Sequence, residues 1–203
     1  MKHIFLHGLG QTNASWQAVQ KNLKVEMDCP NLWELAGPSA GYQTLYEGFA
    51  RWCGGSQEPC DLCGLSLGGI LALDYAGHFP ERVNSLVLIS TPYEIPALLF
   101  GIQNLLFHLM PNRAFAGMGS SKERIIALTG SMKELEIPKM AEKVSCRTLI
   151  LCGQRDKTSV KGGELLHQAI PGSRLQRIPG ASHAVNEEDP EGLAKILHGF
   201  YGS

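Results

Sequence analysis

The chain has 203 residues, long enough for one domain with a sizeable core. A hydrophobic fraction of 44% and a charged fraction of 18% are those of an ordinary soluble globular protein. A formal net charge of -1 with no basic cluster argues against a nucleic-acid partner, and no stretch has the h-region of a signal peptide or the length of a membrane span.

Strand-like and helix-like segments alternate along the chain. Lys2 to Gly8 reads as a strand and Ser15 to Lys24 as a helix. Val25 to Leu32 follows as a strand with alternating Val25, Met27 and Cys29, and Tyr42 to Gly55 as a helix closed by glycines. Cys60 to Ser66 is an apolar strand, Leu67 to Pro80 a helix ending near Gly77, and Ser85 to Ser90 another strand. After an interruption come a strand (Arg147 to Gly153), a helix (Gly162 to Ile170), a strand (Ser173 to Gly180) and a last helix (Asp189 to Tyr201). Such alternation predicts a parallel sheet with helices on both faces. The second and sixth strands carry the most polar residues (Glu26, Asp28; Gln176, Arg177), which assigns them to the edges and gives the order 2-1-3-4-5-6.

The interruption runs from about Thr91 to Ser145. Inside it, Pro96 to Pro111 is apolar nearly all round, so a helix there must be covered on every side. It reads as a core helix, as a cap whose inner face walls a pocket, or as a dimer contact. The expected organisation is one domain over 1–203 with a helical cap insertion at about 91–145.

Six cysteines (Cys29, Cys53, Cys60, Cys63, Cys146, Cys152) sit mostly in apolar strand-like runs and read as buried thiols of a reducing, cytoplasmic compartment. Cys60 and Cys63 have redox spacing but lie along a strand rather than at a helix start. No ligand-like clustering of cysteine and histidine calls for a metal, and no cofactor is implied.

The chemistry concentrates at Gly64-Leu65-Ser66-Leu67-Gly68, a G-x-S-x-G nucleophile elbow between an apolar strand and a helix. A serine on so sharp a turn is pushed out at the carboxyl end of the sheet. The flanking chain then passes too close to its neighbours for side chains at Gly64 and Gly68. Serine needs a positioned base. Of seven histidines, His183 alone follows the sixth strand, at the sheet end where open α/β folds bind ligands. His3 lies within a strand, His78, His167 and His198 on or at the ends of helices, and His108 in the apolar segment. The acid that orients the base is assigned to Asp156, after the fifth strand, with Glu94 as its rival and a helix or turn cap as its alternative role. Asp189 and Glu187 read as caps of the last helix. The amides of Leu67 and Leu9 are assigned to the oxyanion hole, and His7 to bracing the loop around Leu9.

These residues resemble the α/β-hydrolase superfamily. HGLGQTNASW, GLSLGG, FPERV, LILCGQRD and PGASHAVNEEDP stand where that family places its oxyanion loop, elbow, post-elbow helix end, acid turn and histidine loop. The resemblance implies the α/β-hydrolase fold with Ser66, Asp156 and His183 as catalytic residues, in the chain order of that family. It also implies a trimmed six-stranded core, since the usual N-terminal antiparallel hairpin is missing, and a short cap. Ser66 argues against dehalogenase and epoxide hydrolase chemistry, which use aspartate there. Ile70 stands where the menaquinone-pathway synthase typically has arginine. Proline aminopeptidase relatives usually carry tryptophan after the serine, and here that residue is Leu67. The expected activity is hydrolysis of small carboxylic esters or thioesters through an acyl-enzyme on Ser66. The small-molecule ester is the expected partner. Carbon–carbon hydrolysis or lyase chemistry on the same residues, and a weakly catalytic signalling receptor, are the alternatives.

Overall fold

In a computed structural model, residues 2–38, 41–55, 58–95, 107–115 and 117–202 are described. The strands are β1 (Lys2–Leu6), β2 (Met27–Asp28), β3 (Cys60–Leu65), β4 (Val83–Ile89), β5 (Arg147–Gly153) and β6 (Arg174–Ile178). They form one six-stranded sheet in the order β2-β1-β3-β4-β5-β6, with every pairing parallel. β3 is buried throughout, because its apolar run is covered on both faces. β6 exposes Arg174, Gln176 and Arg177, as an unpaired edge requires. β2 is shorter than its sequence pattern predicts, only two residues. Pro30 follows it, and Asn31 caps a new helix by accepting from the Trp33 amide at 3.1 Å.

Two cores sandwich the sheet. On one face Phe5, Leu65, Val87 and Leu151 pack under α1 (Gln17–Asn22) and α9 (Pro190–Tyr201). On the other, Ile4, Leu62, Leu88 and Ile150 pack under α3 (Tyr42–Gly54) and α4 (Leu67–His78), with α2 (Leu32–Leu35) alongside. Alternate residues of β1 serve opposite cores, which is the period-two geometry of a strand.

The described part of the β4–β5 insertion joins this second core. α5 (Lys122–Ser131) and α6 (Ile137–Ala141) bury Ile125, Leu128 and Ile137 against it. Arg124 ties α5 to the body through the carbonyls of Trp33 at 2.7 Å and Gly37 at 2.5 Å. Of the apolar segment Pro96–Pro111, residues 96–106 lie outside the described residues. Its described end packs Phe107 edge-on against Phe115, with ring centroids 5.5 Å apart.

One polar group is buried beneath the helix that leaves Ser66. Asp74 of α4 is 5% exposed and accepts from the Tyr42 hydroxyl at 2.9 Å. Burial pushes its carboxyl above the usual range, and the bonds from Tyr42 and His78 pull it back only in part. Tyr42→Phe removes that donor and should destabilise the fold by about 1–3 kcal/mol. A urea midpoint that does not move would contradict this account of Asp74.

Candidate active site

The carboxyl ends of β1, β3, β4, β5 and β6 open on one side of the sheet, and the candidate residues gather there. Ser66 sits between β3 and α4 with φ 53° and ψ −111°, a left-handed conformation that costs a non-glycine residue about 1–3 kcal/mol. Its amide remains tied to β4 through the Ile89 carbonyl at 2.9 Å, while its carbonyl already accepts from Ile70 at 3.0 Å and starts the helix. A Cβ on Gly64 would overlap the Gly68 carbonyl, and one on Gly68 the Leu6 carbonyl. The glycines expected on either side of the serine are therefore required by close backbone approach.

Leu67 is the first residue of α4, so its amide has no intrahelical acceptor. The loop after β1 closes a turn from the Gln11 amide to the Gly8 carbonyl at 3.2 Å, with Gly10 at φ 80°. A Cβ on Gly8 would come within 2.7 Å of the Leu65 side chain, so the loop lies directly against the end of β3. Leu9, between them, takes no part in the turn's own hydrogen bond. His7 is buried and braces the loop as expected. One ring nitrogen meets the Gly8 carbonyl at 3.0 Å, and the other accepts from the Leu32 amide at 3.1 Å. Burial holds its pKa below the usual histidine value, which fits a neutral ring with both nitrogens occupied.

Asp156 contacts both a helix start and His183. It precedes α7 (Lys157–Ala169), which starts a full turn earlier than the sequence pattern predicts because this carboxylate caps it. Oδ1 accepts from the Ser159 amide at 3.0 Å, while Oδ2 lies 2.7 Å from His183 Nδ1. The Ser159 hydroxyl donates to the same Oδ2 at 2.5 Å. Burial alone would raise the Asp156 pKa, but the bonds from Ser159 and His183 outweigh it and hold the carboxyl below its usual range.

The histidine loop, which leads into α8 (Val185–Glu188), is fixed by residues the sequence reading missed. The Glu188 carboxylate accepts from the amides on either side of His183, Ser182 at 2.6 Å and Ala184 at 3.0 Å. Gln11 accepts from the Gly8 amide at 3.1 Å and donates to Asn186 at 3.2 Å and Glu187 at 2.9 Å, joining the Leu9 loop to the His183 loop. Glu187 thus holds Gln11 rather than capping the last helix. Asp189 does cap α9, through the Gly192 amide at 3.0 Å. The acidic run after His183 was the available signal, but its partners are remote in sequence.

Ser66, Asp156 and His183 line one cavity of about 500 Å³, with Ser90, Tyr93 and Leu165 among its other walls. That volume lies in the range of small-molecule sites. Glu94 lines the same cavity, but the carboxylate on His183 is that of Asp156. His3 pairs with Asp61 at 3.1 Å and His78 with Asp74 at 3.0 Å, while His108 and His198 are exposed. His167 meets the Ser173 hydroxyl at 2.9 Å. Among the described residues, no group of three or more His, Cys, Asp or Glu side chains stands together as metal ligands would. No helix among them is long and apolar enough to cross a membrane.

Comparison with known proteins follows the same lines. The chain is 26% identical, over 98% of its length and 90% of the relative's, to a putative 2-succinyl-6-hydroxy-2,4-cyclohexadiene-1-carboxylate synthase of Bacillus subtilis. It is 22% identical, over 98% of its length and 88% of the relative's, to a pimeloyl-[acyl-carrier protein] methyl ester esterase of Neisseria meningitidis serogroup B. Among solved structures, an esterase of Thermogutta terrifontis superposes with a TM-score of 0.82 at 20% identity, covering 100% of this chain and 89% of that one. MenH from S. aureus superposes with a TM-score of 0.85 at 16% identity, covering 100% and 93%. The model of the alpha/beta hydrolase family matches residues 4–196, and the chain belongs to that family.

Proposed function

We propose that this protein is a serine hydrolase of carboxylic esters or thioesters with small to medium acyl groups. The observation that carries the reading is the 2.7 Å contact between Asp156 and His183, on one cavity with a serine held in a left-handed turn. His183 takes the proton of Ser66 as Oγ adds to the ester carbonyl. The Leu67 and Leu9 amides hold the resulting oxyanion, and the positive end of α4 adds to them. The alcohol or thiol leaves with the proton from His183. Water then adds to the acyl-enzyme, giving its proton to His183, and the acid is released as Ser66 regains a proton. A relative named as a methyl ester esterase supports ester cleavage. The synthase reading is disfavoured at Ile70, which is apolar and 1% exposed where the resemblance to that synthase leads one to expect arginine. Six unpaired thiols favour a reducing, cytoplasmic setting.

A series of p-nitrophenyl esters of increasing acyl length tests this directly. Turnover with a short-to-medium optimum is the expected result, and no turnover of any member contradicts it. Ser159→Ala should lower kcat about tenfold with KM little changed, the rate equivalent of one net hydrogen bond of about 1.4 kcal/mol on the carboxylate that orients His183. Rescue by Ser159→Thr would tie the loss to the hydroxyl, and an unaltered kcat in the alanine variant would remove Ser159 from that role.

A further inference from the structure

Ser90 carries three features that neither the fold nor the mechanism uses. It follows β4 in a left-handed conformation, φ 46°, which a serine adopts only under constraint. It is 1% exposed, and its hydroxyl finds no hydrogen-bond partner among the described residues. It also lines the cavity that holds Ser66 and His183. A buried hydroxyl without a partner and a left-handed backbone each cost stability, and both stand beside the proposed nucleophile. The neighbouring backbone is fixed. Leu65 and Ile89 are in register, so Ser66 and Ser90 are the residues that leave two adjacent strands, and the amide of Ser90 is taken by the Leu151 carbonyl at 2.8 Å. Only the side chain is left to act.

The strand order says which part of a substrate it meets. β1 and its Leu9 loop lie on one side of β3, whereas β4, β5 and β6 lie on the other. His183 and Asp156 come from that second side, as does Ser90. In the proposed reaction the oxyanion turns toward Leu9 and Leu67, and the leaving oxygen turns toward His183, which protonates it. Resting on that reading, we infer that Ser90 is a specificity-determining residue whose hydroxyl donates to a hydrogen-bond acceptor in the alcohol portion of the substrate. The substrate class is then esters of polar alcohols, with an ether, hydroxyl or carbonyl oxygen close to the ester oxygen, rather than esters of plain alkanols.

Two isosteric pairs test it. Butyl acetate and 2-methoxyethyl acetate differ by one methylene-to-oxygen exchange in the alcohol. p-Nitrophenyl butyrate and p-nitrophenyl methoxyacetate differ by the same exchange in the acyl chain. The kcat/KM ratio within each pair is measured for the wild type, Ser90→Ala and Ser90→Gly. Comparing ratios between enzymes cancels intrinsic reactivity, and glycine accepts the left-handed backbone without strain. The preference for the methoxyethyl ester should fall about five- to tenfold in both variants, the acyl pair should not respond, and Ser90→Ala should keep or raise Tm because an unpartnered hydroxyl is removed. Unchanged ratios overturn the inference, as does a response confined to the acyl pair or a fall of several degrees in Tm with selectivity intact. If the wild type cleaves these esters and the ratios hold steady, only the role of Ser90 fails. If it cleaves none of them, the esterase reading fails and takes this inference with it.

Discussion

Ser66→Ala is expected to lower kcat for ester hydrolysis by about 10³-fold or more, with the fold intact. Alanine tolerates the left-handed turn no worse than serine, and the interactions that hold the turn are backbone ones, Ser66 N to Ile89 O and Ile70 N to Ser66 O. The loss therefore belongs to the hydroxyl. Residual turnover would come from the oxyanion donors and binding alone. Initial rates on a p-nitrophenyl ester, beside a thermal melt, decide it. Near-normal turnover would take Ser66 out of the mechanism.

Asp156→Asn should cost about 10³- to 10⁴-fold in kcat while leaving the protein folded. The two oxygens of Asp156 face different partners, Oδ1 the Ser159 amide and Oδ2 the ring of His183. Asparagine is a good helix cap, so its single oxygen goes to the Ser159 amide and keeps α7 in place. Its NH₂ group then faces His183 Nδ1 and forces the proton onto the other ring nitrogen, where it blocks uptake from Ser66. The competing orientation sets NH₂ against the Ser159 amide and loses the cap. A Tm within a few degrees of wild type with collapsed kcat fits this account. Retained activity would move the acid to Glu94, which lines the same cavity.

The sequence made the central sheet legible because its strands are short apolar runs ending in turn residues, and burial on both faces leaves that signature in β3, β4 and β5. The polar second and sixth strands placed the edges correctly. The elbow was legible because its geometry tolerates so few residue types at Gly64 and Gly68. Much less could be read where function depends on a remote partner. Ser90 ends an apolar run and looked like the last residue of a strand, since nothing local reports a left-handed φ or an unpartnered hydroxyl. Ser159 lay before the predicted helix with no role assigned, and the structure brings its hydroxyl onto the Asp156 carboxylate. Gln11 and Asn186 are 175 residues apart, beyond any spacing argument. In the β4–β5 insertion, Ile125, Leu128 and Ile137 join the core beneath α3 and α4, a partnership that composition alone could not report.

The central claim is that Ser66 becomes an acyl-enzyme under the control of His183. Its most direct measurement is fluorophosphonate labelling mapped by mass spectrometry, run beside a pre-steady-state burst with a p-nitrophenyl ester. The account predicts a single adduct on Ser66, a burst approaching one equivalent of p-nitrophenol if deacylation is rate-limiting, and loss of the adduct in His183→Ala. An unlabelled Ser66, or an adduct on another residue, would contradict it.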